Sequence, residues 1–351
     1  SLAAVTRPCI PAPTTKTRFI KIGQNVHNHE ILVYMAINMA DKNKPPHDRG
    51  HILWDASEGP SRILISSFDR WSSAILTDDS IDMPFMGVES EIEAKIIAKE
   101  SGIIAGCAMV EHVIQIWAGN LQISWSCGDG RSISGGDEIA QIRGDKTALL
   151  SMERPILNIL GQLSGIATEA KKWSSKAPGQ IACTRKTIWG LLDKWAVHLG
   201  GGLTHRLNKK DALMMKENDL ATIYPDIEGN GARIAKFLSD VEISGYGAFL
   251  EIEVRSEKEA IMAAFAWSEK RMKEACDPIV IMLDNFNPER CKSVADELVE
   301  MGLRSHVILE ASGGILLENI EDWRECGLDV LSTSTINRGT SPLDLTMLVC
   351  E

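Results

Sequence analysis

The chain has 351 residues and carries 48 acidic against 37 basic side chains, a formal net charge of -11. Hydrophobic residues make up 44% of it, enough for a sizeable core, which excludes overall disorder. The acidic balance disfavours nucleic acid as the main partner, and no apolar run reaches the roughly 18 residues of a membrane span.

The eight cysteines stand at 9, 107, 127, 183, 276, 291, 326 and 350. None forms a C-x-x-C pair, so a zinc ribbon is disfavoured, and a chain this long has no need of a disulfide scaffold. They read as buried thiols in a reducing cytosol, which makes a cytoplasmic location the expectation.

Residues 1–29 lack Asp and Glu but contain Arg7, Lys16, Arg18 and Lys21. A transit peptide shares that look but is amphipathic, and Pro8, Pro11 and Pro13 break any early helix, so a flexible tail is expected. The run 31–39 is apolar and fits a helix or a buried strand equally. Pro45-Pro46 and Gly59-Pro60 read as loop. Residues 1–60 are therefore taken as an N-terminal extension of unclear structure.

Residues 61–168 read as a small α+β domain. Ser90 and Glu93 have the spacing of a capping box, which predicts a helix over 91–101. Leu121 to Trp125 alternates with period two, as a strand does. Gly128 to Gly130 and Gly135-Gly136 read as turns. Residues 153–172 have helical spacing, with Ile156, Leu160, Leu163 and Ala167 on one face. Pro155 suits a first turn, and Arg154 lies at that entrance, off the apolar face.

Residues 169–338 repeat a strand-then-helix rhythm. Strands are expected at 248–254, 278–283, 306–310 and 328–332, with helices at 257–267, 288–302 and 318–326. Alternating β and α with apolar strands implies a parallel sheet covered by helices, with a barrel as the natural closure. Residues 339–351 are expected to pack back on the N-terminal domain.

In a β/α barrel, reactive groups lie at the C-terminal ends of the strands. Asp284 and Glu310 end two of them. Glu251 and Glu253 are two apart and share one strand face, so an inward carboxylate there needs a cation, metal or hydroxyl partner. Ser312-Gly313-Gly314, leading into the 318–326 helix, is a candidate phosphate cradle. Arg185, Lys186, His205, Arg206 and Lys216 concentrate positive charge in an acidic protein, which points to an anionic small molecule in a cleft. Arginine forks suit carboxylates, and lysine supplies a point charge for phosphates. The triplet Gly200 to Gly202 fits a helix stop after 191–199 but exceeds what a stop needs.

Taken together, Thr184-Arg-Lys-Thr187, Gly200-Gly-Gly-Leu-Thr-His-Arg206, Lys216-Glu-Asn218, Glu251-Ile-Glu253, Met282-Leu-Asp-Asn285 and Leu309 to Ile315 resemble the quinolinate phosphoribosyltransferase family. The likeness runs from about residue 88 to 347. It implies an open α/β barrel with a smaller N-terminal α+β domain, and a homodimer or dimer-based hexamer with shared active sites. It implies a pentosyltransferase of NAD biosynthesis. Quinolinate and phosphoribosyl pyrophosphate would become nicotinate mononucleotide, pyrophosphate and carbon dioxide, with Mg²⁺.

By that resemblance, Arg185, Lys186, His205 and Arg206 hold the pyridine carboxylates, joined by Arg154 from a neighbouring subunit. Lys216, Glu253 and Asp284 are the catalytic residues, with Glu253 and Asp284 at the ribose and the metal. Ser312, Gly313 and Gly314 take the 5′-phosphate, helped by Ser334 and Thr335. The chain departs from the family pattern at Cys183, 188–190, Leu192, Thr204, Asp219, Ser332 to Thr335 and Arg338. A nicotinate phosphoribosyltransferase on the same fold, or a non-catalytic binder of a phosphorylated ligand, are the alternatives.

Overall fold

The computed structural model describes residues 44–87 and 90–350. The apolar run at 31–39 and the acid-poor start of the chain lie outside them. Two short strands, β1 (Trp54–Asp55) and β2 (Gly59–Pro60), form a small hairpin, so Gly59-Pro60 is paired and not loop. The helix Arg62–Asp78 follows, with Ser61 accepting from the Leu64 N–H at its start.

The N-terminal domain is built on β3 (Glu91–Ala98), β4 (Gly102–Ile103), β5 (Leu121–Trp125), β6 (Ser132–Ile133) and β7 (Glu138–Asp145). Its main sheet is antiparallel, in the order β14-β3-β7-β5, with β14 (Leu345–Val349) arriving from the far end of the chain. The expected helix over 91–101 is therefore a strand. Ala94, Ile96 and Ala98 are buried at period two, and that alternation overrides the capping-box pattern. Ser90 caps no helix there. Its carbonyl accepts the Lys146 N–H at 2.8 Å instead.

One helix, Lys146–Lys176, runs from this domain to the next. Asp145 caps it by accepting from the Ala148 N–H at 2.9 Å. Pro155 thus lies inside the helix and not in its first turn, and the boundary expected at 168 falls within it. Ile156, Ile159, Leu160, Leu163, Ile166, Ala167, Ala170 and Trp173 form its buried face.

The second sheet is parallel and six-stranded: β8 (Ile181–Cys183), β9 (Leu213–Met215), β10 (Leu250–Val254), β11 (Ile279–Asp284), β12 (Val307–Ser312) and β13 (Val330–Thr333). Their order is β8-β13-β12-β11-β10-β9. No ladder joins β8 to β9, so the barrel is open along that seam. Residues 203–212 cross the opening. Leu203 bonds to both Ile181 and Cys183 of β8, and Ala212 leads directly into β9. Helices Glu257–Lys273 and Pro288–Glu300 follow β10 and β11, capped by Ser256 and Asn287. The helix expected at 318–326 is only the four residues Glu321–Arg324.

The triplet after helix Leu191–Leu199 does more than stop it. A side chain at Gly200 would place its Cβ 2.3 Å from the Ala167 carbonyl oxygen, so glycine lets this turn touch the long helix. The flexible tail expected over 1–29 lies outside the described residues, whereas residues 45–60 of the extension left without an assigned structure pack onto the fold. His47 is fully buried, and Leu53 packs in the main core.

Candidate active site

A cleft of about 310 Å³ opens at the C-terminal ends of the barrel strands. Arg185, Lys186, His205, Arg206, Lys216, Glu253, Asp284 and Ser312 all line it, together with Thr184, Met214, Met282 and Ser332. Eight of the residues singled out from the sequence therefore meet in one place. The period-two alternation of β10 brings Glu251 and Glu253 inward, and the β10–β11–β12 register sets Asp284 beside Ser312. A larger, mainly apolar depression of about 400 Å³ lies between helices Asn230–Asp240 and Glu257–Lys273. Its two lysines, Lys270 and Lys273, share it with Glu269 and Glu274, and Lys270 pairs with Glu274 at 3.5 Å.

The cationic wall comes from two loops. Arg185 and Lys186 follow β8, are exposed, and have no carboxylate partner among the described residues. Asp193 fixes their loop by accepting from the Ile188 and Trp189 N–H groups at 2.9 and 3.1 Å. The buried Asn337 amide ties the same loop to β13's continuation, donating to the Lys186 carbonyl at 3.1 Å and to Asp193 at 3.2 Å.

Arg206 sits in the seam crossing and is only 7% exposed. It donates from Nη1 to the Ala212 carbonyl at 3.0 Å, while its buried Nε has no partner. Burial, with Arg185 close by, weakens its hold on a proton, but a guanidinium stays charged. An unpaired N–H on a buried cation is a vacancy that an anion fills.

The opposite wall is acidic and hydroxylic. Glu253 is bonded to Lys216, and Asp284 is half-open to solvent, 3.9 Å from Arg255. Burial lowers the proton affinity of Lys216, partly countered by Asp284 and Glu251. Glu253 and Asp284 are the two carboxylates lining the cleft, and carboxylate oxygens are the donors a hard cation takes.

Beyond Ser312 the chain turns through Gly313 and Gly314, both with positive φ. A Cβ on Gly313 would fall 2.3 Å from Asn285 Oδ1, so this turn needs glycine twice over. The expected helix dipole is missing, because the helix begins only at Glu321 and is one turn long. Any phosphate there relies on loop N–H groups. Ser334 and Thr335 lie just past β13 and do not line the cleft; the Ser334 carbonyl accepts the Arg338 N–H at 2.8 Å. Arg154 does not join the cluster either. Its side chain is 66% exposed, and its closest charge is its own neighbour Glu153 at 3.7 Å.

A second polar layer lies beneath the cleft, entirely buried. Glu310 accepts from His47 Nε2 at 2.8 Å, from His205 Nε2 at 3.3 Å, and from the Ser332 hydroxyl. His205 also faces Glu251 at 3.6 Å. Burial opposes charge on Glu310, but the two imidazoles hold its carboxyl well below the usual range. Burial and the neighbouring Glu310 push Glu251 up. Burial opposes charge on His205 too, yet Glu310 and Glu251 outweigh it and carry the ring up to about 9.

His47, His205 and Glu310 place their ligand atoms within 4.8 Å of one another, a spacing that a metal could use. The tautomer argues otherwise. In the neutral ring His205 Nδ1 accepts the Arg206 N–H at 2.7 Å and the single proton sits on Nε2, facing the carboxylates; the charged ring that those carboxylates favour gives up that Nδ1 bond. A metal on Nε2 requires the ring proton on Nδ1. Protons hold this cluster together.

Sequence reasoning missed Ser332, Asp193, Asn337 and His47. Asp193 sits where a local side-chain cap of the 188–190 turn could have been read. For His47 and Asn337 the sequence offers no signal, since their partners are 263 and 144 positions away.

Comparison with known proteins fits this geometry. Residues 77–164 match the N-terminal domain, and residues 166–348 the C-terminal domain, of quinolinate phosphoribosyl transferase. A probable carboxylating nicotinate-nucleotide pyrophosphorylase of Methanothermobacter thermautotrophicus is 34% identical over 265 residues, covering 74% of this chain and 88% of that protein. Another, of Bacillus subtilis, is 32% identical over 264 residues, covering 74% and 84%. The solved nicotinate-nucleotide pyrophosphorylase of Francisella tularensis superposes with a TM-score of 0.65 at 26% identity, covering 82% of this chain and 97% of that one. With both domains matched in order and the cationic cleft between barrel strands in place, the chain belongs to the quinolinate phosphoribosyl transferase family.

Proposed function

We propose that this cleft transfers the phosphoribosyl group of phosphoribosyl pyrophosphate to quinolinate and releases carbon dioxide, giving nicotinate mononucleotide and pyrophosphate. One observation carries the reading. A single cleft sets Arg185, Lys186, His205 and Arg206 against Lys216, Glu253, Asp284 and Ser312, cations for two carboxylates opposite groups suited to a ribose phosphate. The reaction is a pentosyl transfer, and its product is a precursor of NAD.

The residues divide the work. Arg206, with its unpaired Nε, and Arg185 take the pyridine carboxylates and aim the ring nitrogen at ribose C1. Holding two anions in line removes much of the entropic and repulsive barrier. The C1–O bond to pyrophosphate breaks as the ring nitrogen forms its bond to C1. Glu253 and Asp284, beneath the ribose, stabilise the positive charge that builds on C1. Lys216 lies between the two substrates and stabilises the departing pyrophosphate. The 2-carboxylate then leaves as carbon dioxide, its bonding electrons pass into the pyridinium, and a proton replaces it at that carbon. Mg²⁺, held by Glu253 and Asp284, would supply further charge for the pyrophosphate oxygens. The Ser312 hydroxyl and the N–H groups of Gly313 and Gly314 receive the 5′-phosphate.

Arg154 is exposed and remote from its own chain's cleft, which supports a dimer-based assembly in which it reaches a partner's site. Purified protein with quinolinate, phosphoribosyl pyrophosphate and Mg²⁺ should release carbon dioxide in step with mononucleotide. Mononucleotide formed only from nicotinate, or binding without turnover, overturns the assignment. Mixing an Arg154→Ala chain with a Lys216→Ala chain should restore part of the activity; verified mixed dimers that stay inactive remove Arg154 from the site.

A further inference from the structure

Residues 45–53 precede both family matches, which begin at 77. They nevertheless enter the barrel through its open seam. Arg49 donates to Asp211 from Nη2 at 2.9 Å and from Nε at 3.3 and 3.4 Å, a fork onto the crossing loop. Its own N–H donates to the Thr204 hydroxyl at 3.0 Å, and that hydroxyl reaches back to the His47 carbonyl at 3.4 Å. Asp211 also accepts the Leu207 N–H at 2.8 Å, so one carboxylate fixes both the segment and the loop that carries His205 and Arg206. A Cβ on Gly50 would meet the His198 ring at 1.9 Å, so the segment lies flat against helix Leu191–Leu199.

This anchoring delivers His47 to the layer beneath the cleft. Its ring meets His205 edge-on at 4.8 Å and Phe249 at 5.0 Å, and its Nε2 bonds Glu310. Glu310 holds His205 Nε2, and His205 lines the cleft. His205 has φ 54, a backbone conformation that costs energy for any residue but glycine and persists only where its surroundings impose it. The chain of contacts from Arg49 through His47 and Glu310 to His205 is continuous, and it is buried from His47 onward.

We propose that His47 is a positioning residue for the pyridine-carboxylate subsite, acting through Glu310 on His205 and on the loop that bears Arg206. The inference rests on the quinolinate reading above. It assigns to the upstream segment a specific effect on one substrate, because among the described residues none of Lys216, Glu253 and Asp284 makes a side-chain hydrogen bond or ion pair to residues 45–50, whose reach into β12 ends at Glu310.

The test is calorimetric binding of quinolinate and of phosphoribosyl pyrophosphate to the full chain, with melting temperature as a check on folding. His47→Ala should weaken quinolinate binding about tenfold or more, while phosphoribosyl pyrophosphate affinity changes less than about twofold. His47→Gln, which keeps an N–H near the Nε2 position, should recover quinolinate binding to within about threefold of the parent. Arg49→Ala, which keeps His47 but cuts its anchor, should give the same selective loss at smaller size, and stands in if His47→Ala does not fold. Unchanged quinolinate affinity in a folded His47→Ala protein, equal weakening toward both substrates, or no recovery in His47→Gln each overturn the proposal. A parent protein that binds phosphoribosyl pyrophosphate but not quinolinate overturns the functional reading itself, a result separate from any difference among the variants.

Discussion

The cleft and the layer beneath it use the same kinds of side chain to opposite ends. Above, Arg185 and Lys186 are exposed with no carboxylate partner among the described residues, Arg206 keeps a free Nε, and Asp284 is partly exposed. Below, Glu310 and His47 are sealed from water and bonded to each other, and Glu310 holds the buried His205 that reaches up to the cleft. An ionic group left unpaired at a surface is cheap to keep and ready for a ligand. A buried one must be satisfied by the protein, and removing a partner strands the other. The upper layer is therefore where chemistry is done, and the lower one is where its geometry is held.

Three measurements break or sharpen that contrast. The largest effect belongs to the lower layer. Glu310→Ala strands His47, His205 and Ser332 and should cost about 3–5 kcal/mol of stability in urea unfolding. Asp284→Ala, in the upper layer, should cost less than about 0.5 kcal/mol while activity falls. Equal losses of stability would erase the distinction between layers.

Next, Arg206→Ala should raise KM for quinolinate about a hundredfold, roughly 2.7 kcal/mol of binding, because a fork onto a carboxylate is lost. A KM within about threefold of the parent would take Arg206 out of the subsite. The smallest effect is a pH slope. The folded-state affinity of His205 for its proton is raised to about 9, from an unfolded value near 6.5. Its contribution is thus fully present below about 6.5 and is lost as pH rises through about 9. Uptake of a proton at Nδ1 displaces the Arg206 N–H, so the loss should be modest, on the order of 1 kcal/mol. His205→Gln should flatten it; an identical slope in both proteins would show that other groups titrate there.

Barrel strands β10 to β13 were readable because each is short, apolar and bounded by turn residues, and the carboxylates on them follow from period-two geometry; β8 and β9, only three residues each, were not read. The cationic motifs were readable as charge clusters in an acidic chain. β3 was not, because Ser90 and Glu93 mimic a helix start, and only pairing with β7 and β14 shows that Ala94, Ile96 and Ala98 face a core. The missing helix after Gly314 is a similar case: a good local pattern from 318 onward yielded to turns at 316–320 held by Asn319, which bonds Leu316 and Gly314.

By itself, the order of residues determined the alternating architecture, the chemical character of the cleft and the family likeness, since all three depend on local periodicity and on which side chains are present. Only the tertiary structure decided that residues 45–53 close the open seam, that Arg154 lies apart from its own cleft, and that His47 supports Glu310. The placement of His47 and of residues 45–53 depends on contacts between positions 162 and 263 residues apart, where local propensity carries no information and the cost of leaving a buried charge unpaired selects the arrangement.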